Sequence, residues 1–257
     1  MSLDNFSLKG RRALITGASS GLGHGIAKGL AAAGAEIIAC ARRVDRLEAL
    51  VADIRQSGGK ACAVAMDVAN RDSVNAAYDQ AIAELGVPDI IINNAGVADP
   101  KNFLKADEAS RDFVMNTNFN GVWNVAQEGA RRMVEANLPG SIINIASVLA
   151  VMAQTGQATY CASKAAVAHL TNVMSLDLMR HNIRVNAISP GAVATPIFWG
   201  GSARAQTLSD EENAAKLDKL TGNLAQATPL PRSGYAVDIA NAAVFLASDE
   251  ASFVNGH

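Results

Sequence analysis

Apolar residues fall in short blocks of four to six at 13–16, 36–41, 61–66, 89–93, 141–146 and 183–188. Blocks that short and that uniformly apolar predict strands covered on both faces. The longer stretches between them mix apolar and polar positions at helical spacing and predict helices at 21–34, 44–57, 70–85, 110–136 and 157–181, with a further one at 236–248. Strands joined by crossover helices predict an α/β fold around a parallel sheet.

No linker, internal repeat or low-complexity tract interrupts this series, so residues 1–257 are expected to form a single domain. The one irregular region is 190–232. It holds Pro190, Gly191, Pro196, Gly200, Gly201, an acidic cluster at Asp210, Glu211 and Glu212, and Pro229 and Pro231. A stretch of that length is expected to be a substrate lid with one or two short helices. Residues 136–163 and 185–203 carry no charge and are long enough to span a membrane. Asn144, Ser147, Gln154 and Gln157 in the first, and Asn186, Pro190 and Pro196 in the second, predict buried strand and pocket wall instead.

Composition narrows the partners. Hydrophobic residues make up 49% and charged residues 18%, which supports a large core and excludes a disordered chain. The 22 Lys and Arg against 24 Asp and Glu give a net charge of -2, so no basic field gathers nucleic acid or a membrane surface. Cys40, Cys62 and Cys161 are odd in number and far apart, and the first residues hold Asp4 with no apolar run, so a reducing, cytoplasmic setting without a secretory leader is expected. His24, His169 and His181 lack metal-ligand spacing, and no metal is expected.

The first predicted strand runs into T-G-A-S-S-G-L-G at 16–23 and then into a helix. Gly17 and Gly21 permit close backbone approach, and Gly23 permits helix-to-sheet packing, so a pyrophosphate can sit on the free N–H groups of the helix start. An ordinary tight turn is the alternative. Glu36 has the spacing of a ribose-binding carboxylate, yet it opens the second strand, whereas ligands bind beyond the carboxyl ends of parallel strands. Ala41, Arg42 and Arg43 occupy that end, and guanidinium groups suit a 2′-phosphate, so NADP(H) is expected over NAD(H), which remains possible. The alternative is that both arginines are solvated charges at a helix start.

Tyr160 and Lys164 lie four apart on one face of a predicted helix, and Ser147 follows the strand before it. All three fall at the carboxyl edge of the sheet. Hydride transfer at a carbinol carbon needs a group that moves the hydroxyl proton, and a tyrosine near pKa 10 must be brought down to serve. A lysine ammonium beside Tyr160 does this, while Ser147 can hydrogen-bond the substrate oxygen.

These residues, with M-D-V at 66–68, N-N-A-G at 93–96, N-F-N-G at 118–121, N-I-A-S at 144–147, Y-C-A-S-K at 160–164 and N-A-I-S-P-G-A-V-A-T at 186–195, resemble the short-chain dehydrogenase/reductase family over about residues 9–256. The resemblance implies a Rossmann-type, doubly wound sheet with helices on both faces. It implies a catalytic tetrad of Asn118, Ser147, Tyr160 and Lys164, in which Asn118 holds a water in a proton relay; the alternative is that Asn118 satisfies backbone groups within a kinked helix. It also implies cofactor contacts from Gly17, Ser19, Ser20, Gly21 and Leu22, from Asp67 and Val68 at the adenine, and from Asn94, Ala95 and Gly96 at the ribose. Tyr160, Lys164, Pro190, Gly191, Val193 and Thr195 would complete the set. By the same likeness a further strand carrying Asp-Gly-Gly would begin where this sequence reaches Val254-Asn255-Gly256-His257.

Val148, Gln154, Phe198 and Trp199 are the expected substrate contacts, in a mostly apolar wall that also takes in Leu149, Met152, Ala192 and Ile197. The expected function is therefore an NADP(H)-dependent oxidoreductase acting on a ketone or secondary alcohol with an apolar body, of the carbonyl reductase or alcohol dehydrogenase type. One alternative is a 3-oxoacyl-carrier-protein ketoreductase, with Arg131, Arg132 and Arg180 meeting the carrier. The other is a noncatalytic NADP(H)-binding sensor. Val125, Ala126, Met133, Val167, Leu170 and Met174 exceed one core-facing stripe, so a homo-oligomer, dimer or tetramer, is expected through those helices.

Overall fold

The computed structural model describes residues 3–199, 208–227, 230 and 232–257. Strands β1 (Arg12–Thr16), β2 (Glu36–Ala41), β3 (Ala61–Ala65), β4 (Ile90–Asn93), β5 (Gly140–Ile145) and β6 (Ile183–Ile188) form one sheet in the order β3-β2-β1-β4-β5-β6. All pairings are parallel. The helices are α1 (Gly21–Ala32), α2 (Val44–Gln56), α3 (Arg71–Leu85), α4 (Glu108–Met115), α5 (Gly121–Glu135), α6 (Ala158–Leu178), α7 (Asp210–Ala227) and α8 (Ala236–Ala247).

Alternate strand residues feed two cores, which is why the strands read as unbroken apolar blocks. Ile15, Ile37, Ile92 and Ile143 meet Ile26 and Leu30 of α1, Leu50 of α2 and Ala243 of α8. Leu14, Ile38, Ile91 and Val185 meet Tyr78 of α3 and Val125 and Met133 of α5 on the other face, with Met174 and Leu178 of α6 packed alongside. Each such side chain contributes about 1.5–3 kcal/mol on burial. The sheet is thus doubly wound, as expected.

Three expectations are corrected. The helix predicted over 110–136 is divided into α4, a π-helical turn at Asn116–Asn120, and α5. The widened turn lets Asn118 face inward to Val97 instead of continuing the helical ladder. Among its described residues the region expected as a lid holds a four-residue 3₁₀ turn, Pro196–Trp199, and the 18-residue α7, longer than the short helices expected there. Val125, Ala126, Met133 and Val167 are buried in the core and cannot form an outward face, where Trp123, Val134, Val173 and Leu176 stand exposed instead.

Beyond α8, residues 255–257 lie along the outer edge of β6. Gly256 N–H donates to the Val185 carbonyl at 2.8 Å, Ala187 N–H to the His257 carbonyl at 2.5 Å, and Val185 N–H to Asn255 Oδ1 at 2.8 Å. Pairing on β6 therefore begins where the family likeness places a further strand. The charge-free stretch 136–163 folds as β5, a turn and the start of α6, and among the described residues no helix is long and apolar enough to cross a membrane.

Candidate active site

At the centre of the sheet the connections of β1 and β4 leave toward opposite edges, which opens a crevice at their carboxyl ends. Thr16 and Asn94 fix its walls. Thr16 Oγ1 accepts from the N–H groups of Asn94 and Ala95, each at 3.0 Å, and donates to the Ile92 carbonyl at 3.3 Å. Asn94 Nδ2 donates to the Thr16 carbonyl at 2.9 Å. The glycine turn folds against this pair: Gly17 has φ +67°, and a Cβ on Gly23 would fall 2.4 Å from the Gly17 carbonyl oxygen.

Ser20 is the N-cap of α1, but its side chain does not cap the helix. Its hydroxyl instead accepts from Arg43 Nη2 at 3.2 Å, and the Ser19 hydroxyl accepts from the same nitrogen at 2.8 Å. The first-turn N–H groups of α1 thus keep no side-chain cap, the arrangement that suits an anion. Arg43 is the N-cap of α2, beyond the end of β2, and burial with the nearby Arg46 lowers its pKa. Arg42 beside it is exposed. Glu36 lies at the opposite end of β2, 2.8 Å from Lys60 Nζ.

The turn after β5 and the start of α6 bring three side chains together. Ser147 caps a short 3₁₀ turn, Val148–Ala150, its Oγ accepting from Leu149 N–H at 3.1 Å. Burial raises the Tyr160 pKa above the usual tyrosine value, while the Ser147 hydrogen bond pulls it back. Lys164 is buried, with Nζ 5.8 Å from the centre of the Tyr160 ring, and donates to the Ile145 carbonyl at 2.6 Å. Burial brings its pKa down to about 8.

One cavity of about 810 Å³ runs from the glycine turn past these groups. Its lining takes in Gly17, Ser19, Ser20, Gly21 and Leu22 at the turn, Arg42 and Arg43 at β2, and Asp67 and Val68 at β3. Asn94, Ala95 and Gly96 follow, then Ser147, Tyr160 and Lys164, then Pro190, Gly191, Val193 and Thr195 after β6. Val148, Gln154 and Phe198 line the far wall.

The profile of the short chain dehydrogenase family matches residues 11–205. The chain belongs to this family. It is 38% identical over 253 residues to gluconate 5-dehydrogenase of Gluconobacter oxydans, covering 98% of this chain and 93% of that protein. Similarity to 3-oxoacyl-(acyl-carrier-protein) reductase FabG of Staphylococcus epidermidis is 34% identity over 247 residues, covering 96% and 95%. The crystal structure of a gluconate 5-dehydrogenase from Burkholderia cenocepacia, in complex with NADP and tartrate, superposes with a TM-score of 0.86 at 37% identity, covering 100% of this chain and 95% of that one.

Within this short chain dehydrogenase, Asn118 stands apart from the other expected site residues. It is fully buried behind Val97 and outside the cavity lining. Its Oδ1 accepts from Val97 N–H at 2.8 Å, and its Nδ2 donates to the Val97 carbonyl at 3.0 Å and to Ser163 Oγ at 3.1 Å. These bonds position the loop after β4 against α6. Asp67 has a local task too, its Oδ1 accepting from Ala69 N–H at 3.1 Å. Met152 is exposed and outside the cavity lining, and the Trp199 side chain lies outside the described residues. Val97, Ala98, Pro100, Thr117 and Gln157 line the cavity without having been expected to. Gln157 alone carried a signal, since it precedes Tyr160 by one turn on the same helix start.

Proposed function

We propose that the protein is an NADP(H)-dependent oxidoreductase that interconverts a ketone and a secondary alcohol whose body is mainly apolar. The observation that carries this reading is the convergence of Ser147, Tyr160 and Lys164 in the cavity that begins at the glycine turn. Family membership makes it an oxidoreductase of the CH–OH class; the cofactor preference, site roles and substrate are our assignments.

The residues present fit a nicotinamide dinucleotide. The side-chain-uncapped start of α1 would hold the pyrophosphate, and Arg42 and Arg43 a 2′-phosphate. Asp67 and Val68 would meet the adenine, and Val193 and Thr195 the carboxamide. When bound, the dinucleotide supplies or accepts the hydride. Tyr160 then gives its phenolic proton to the carbonyl oxygen, or takes it back in the reverse direction. Ser147 orients that oxygen by hydrogen bonding, and the Lys164 ammonium favours the phenolate that is left. Asn118 acts as a positioning residue.

Val97, Ala98, Pro100, Val148, Leu149 and Ile197 support an apolar substrate body. Among the described residues the cavity cations are Arg42, Arg43 and Lys164, so the far wall offers no fixed charge to a carboxylate. A polyhydroxy substrate of the kind named for the gluconate relatives is the second reading, supported by Gln154 and Gln157 on that wall. The carrier-protein reading has less support, because Arg132 is paired with Glu128 and Asp79, each at 2.7 Å.

A panel of ketones and secondary alcohols, followed by NADPH absorbance in both directions, tests the proposal. Turnover of at least one apolar ketone, faster with NADPH than with NADH, is expected. Intact cofactor binding with no turnover across the panel would favour the noncatalytic sensor instead.

A further inference from the structure

The hydride chemistry gives no task to Gln157, a polar group of the cavity. Gln157 is the N-cap of α6, one turn before Tyr160, and lines the same cavity. Its backbone is committed, with N–H donating to the Gln154 carbonyl at 3.2 Å and C=O accepting from Cys161 N–H at 2.8 Å. Its side-chain Oε1 is buried and has no hydrogen-bond partner. The amide oxygens of Asn75 and Asn93 are also unpartnered, but neither residue lines the cavity. An orphaned acceptor is a cost to the folded chain that a bound donor relieves.

We propose that Gln157 is a specificity-determining residue that binds a hydroxyl on the carbon next to the reacting carbon. The preferred substrate is then an α-hydroxy ketone or, in the reverse direction, a vicinal diol. Residues three apart on a helix stand side by side, so a substrate whose carbonyl oxygen meets Tyr160 presents its neighbouring carbon to Gln157. Oε1 is sealed from solvent in the free protein, so the amide must turn about its last torsion to meet a substrate, and a hydroxyl then satisfies it by donating to Oε1 and accepting from Nε2. A carboxylate has no hydrogen to donate, and the far wall has no cation for it among the described residues. This inference rests on the reading that Tyr160 exchanges its proton with the reacting oxygen.

The test compares 3-hydroxy-2-butanone with 2-butanone, using NADPH and three proteins: wild type, Gln157→Leu and Gln157→Asn. Wild type is expected to favour the hydroxy ketone by about tenfold or more in kcat/KM. Gln157→Leu should bring that ratio near one, acting on KM more than on kcat, and Gln157→Asn should restore part of it. An unchanged ratio overturns the proposal, and so does an equal fall on both ketones, which would mark a packing role. The same pair is titrated against the NADPH-bound protein by fluorescence quenching. If wild type turns over neither ketone, the assignment of a small apolar ketone as substrate fails, while the binding ratio still decides the role of Gln157.

Discussion

The two edges of the sheet carry similar side chains and spend them differently. At the amino edge Glu36 receives Lys60 at 2.8 Å and Arg12 at 3.7 Å, and Arg11 is bonded to Asp89. Charges there are balanced within the protein and, being partly solvated, contribute up to about 1 kcal/mol per pair. At the carboxyl edge Lys164 is buried among groups that include no carboxylate within ion-pair reach among the described residues, and a carbonyl is its hydrogen-bond partner. Arg43 donates to two hydroxyls of the glycine turn. Residue type alone does not separate the two edges; position along the strand does, because the carboxyl edge opens into the cavity.

The largest effect that would sharpen this contrast lies at Tyr160. Tyr160→Phe keeps the ring and removes the proton, so turnover should fall by about 10²- to 10⁴-fold while NADPH affinity is retained. Single-turnover kinetics check this, and a loss below about threefold would remove Tyr160 as the proton donor.

The next effect concerns stability and runs opposite to activity. A lysine held at about pH 8 rather than its usual 10.5 means that burial penalises its charge, by on the order of 3 kcal/mol at neutral pH. Lys164→Met removes that penalty and loses the bond to the Ile145 carbonyl, worth about 1 kcal/mol, so a gain of about 2 kcal/mol is expected alongside lost turnover. The sign follows from proton binding. Below pH 8 both folded and unfolded chains hold the proton and the penalty is full. Between about pH 8 and 10.5 the unfolded chain binds more protons, and the penalty fades as pH rises. Urea unfolding at pH 7 and pH 10 should show the gain at the first and its loss at the second. A variant less stable than wild type at pH 7 would contradict this burial penalty.

Much of this was legible in the sequence because the fold is regular where the cavity lies. Two-sided burial makes each strand an apolar block, and the carboxyl ends of those blocks carry the glycine turn, the β2 arginines and Ser147. Arg12 escaped the strand reading because a charged residue opens β1, held by its pairing with Glu36 at the sheet edge. A kinked helix around Asn118 was open as an alternative, but its bond partner Val97, on the loop after β4, is tertiary and no local pattern names it. Residues 210–227 are rich in Ala, Leu, Lys and Glu, and their helix propensity was outweighed by the glycines and prolines on either side. The spacing of Gln157 from Tyr160 was readable, but that its amide oxygen has no partner and that it lines the cavity were not.

The contrast between the edges is tested most directly by one fluorescence titration, at fixed salt, of NADPH and NADH against wild type, Arg42→Ala, Arg43→Ala and Glu36→Gln. A charge-assisted contact to the 2′-phosphate is worth about 1.5 to 3 kcal/mol, so wild type should bind NADPH roughly ten- to a hundredfold more tightly than NADH. One or both arginine variants should lose most of that ratio through weaker NADPH binding. Glu36→Gln, which alters only the amino edge, should leave both affinities within about twofold and stability within about 1 kcal/mol. Equal binding of NADH and NADPH by wild type, or a lost ratio in Glu36→Gln with both arginine variants unchanged, would contradict the assignment of the cofactor to the carboxyl edge through Arg42 and Arg43.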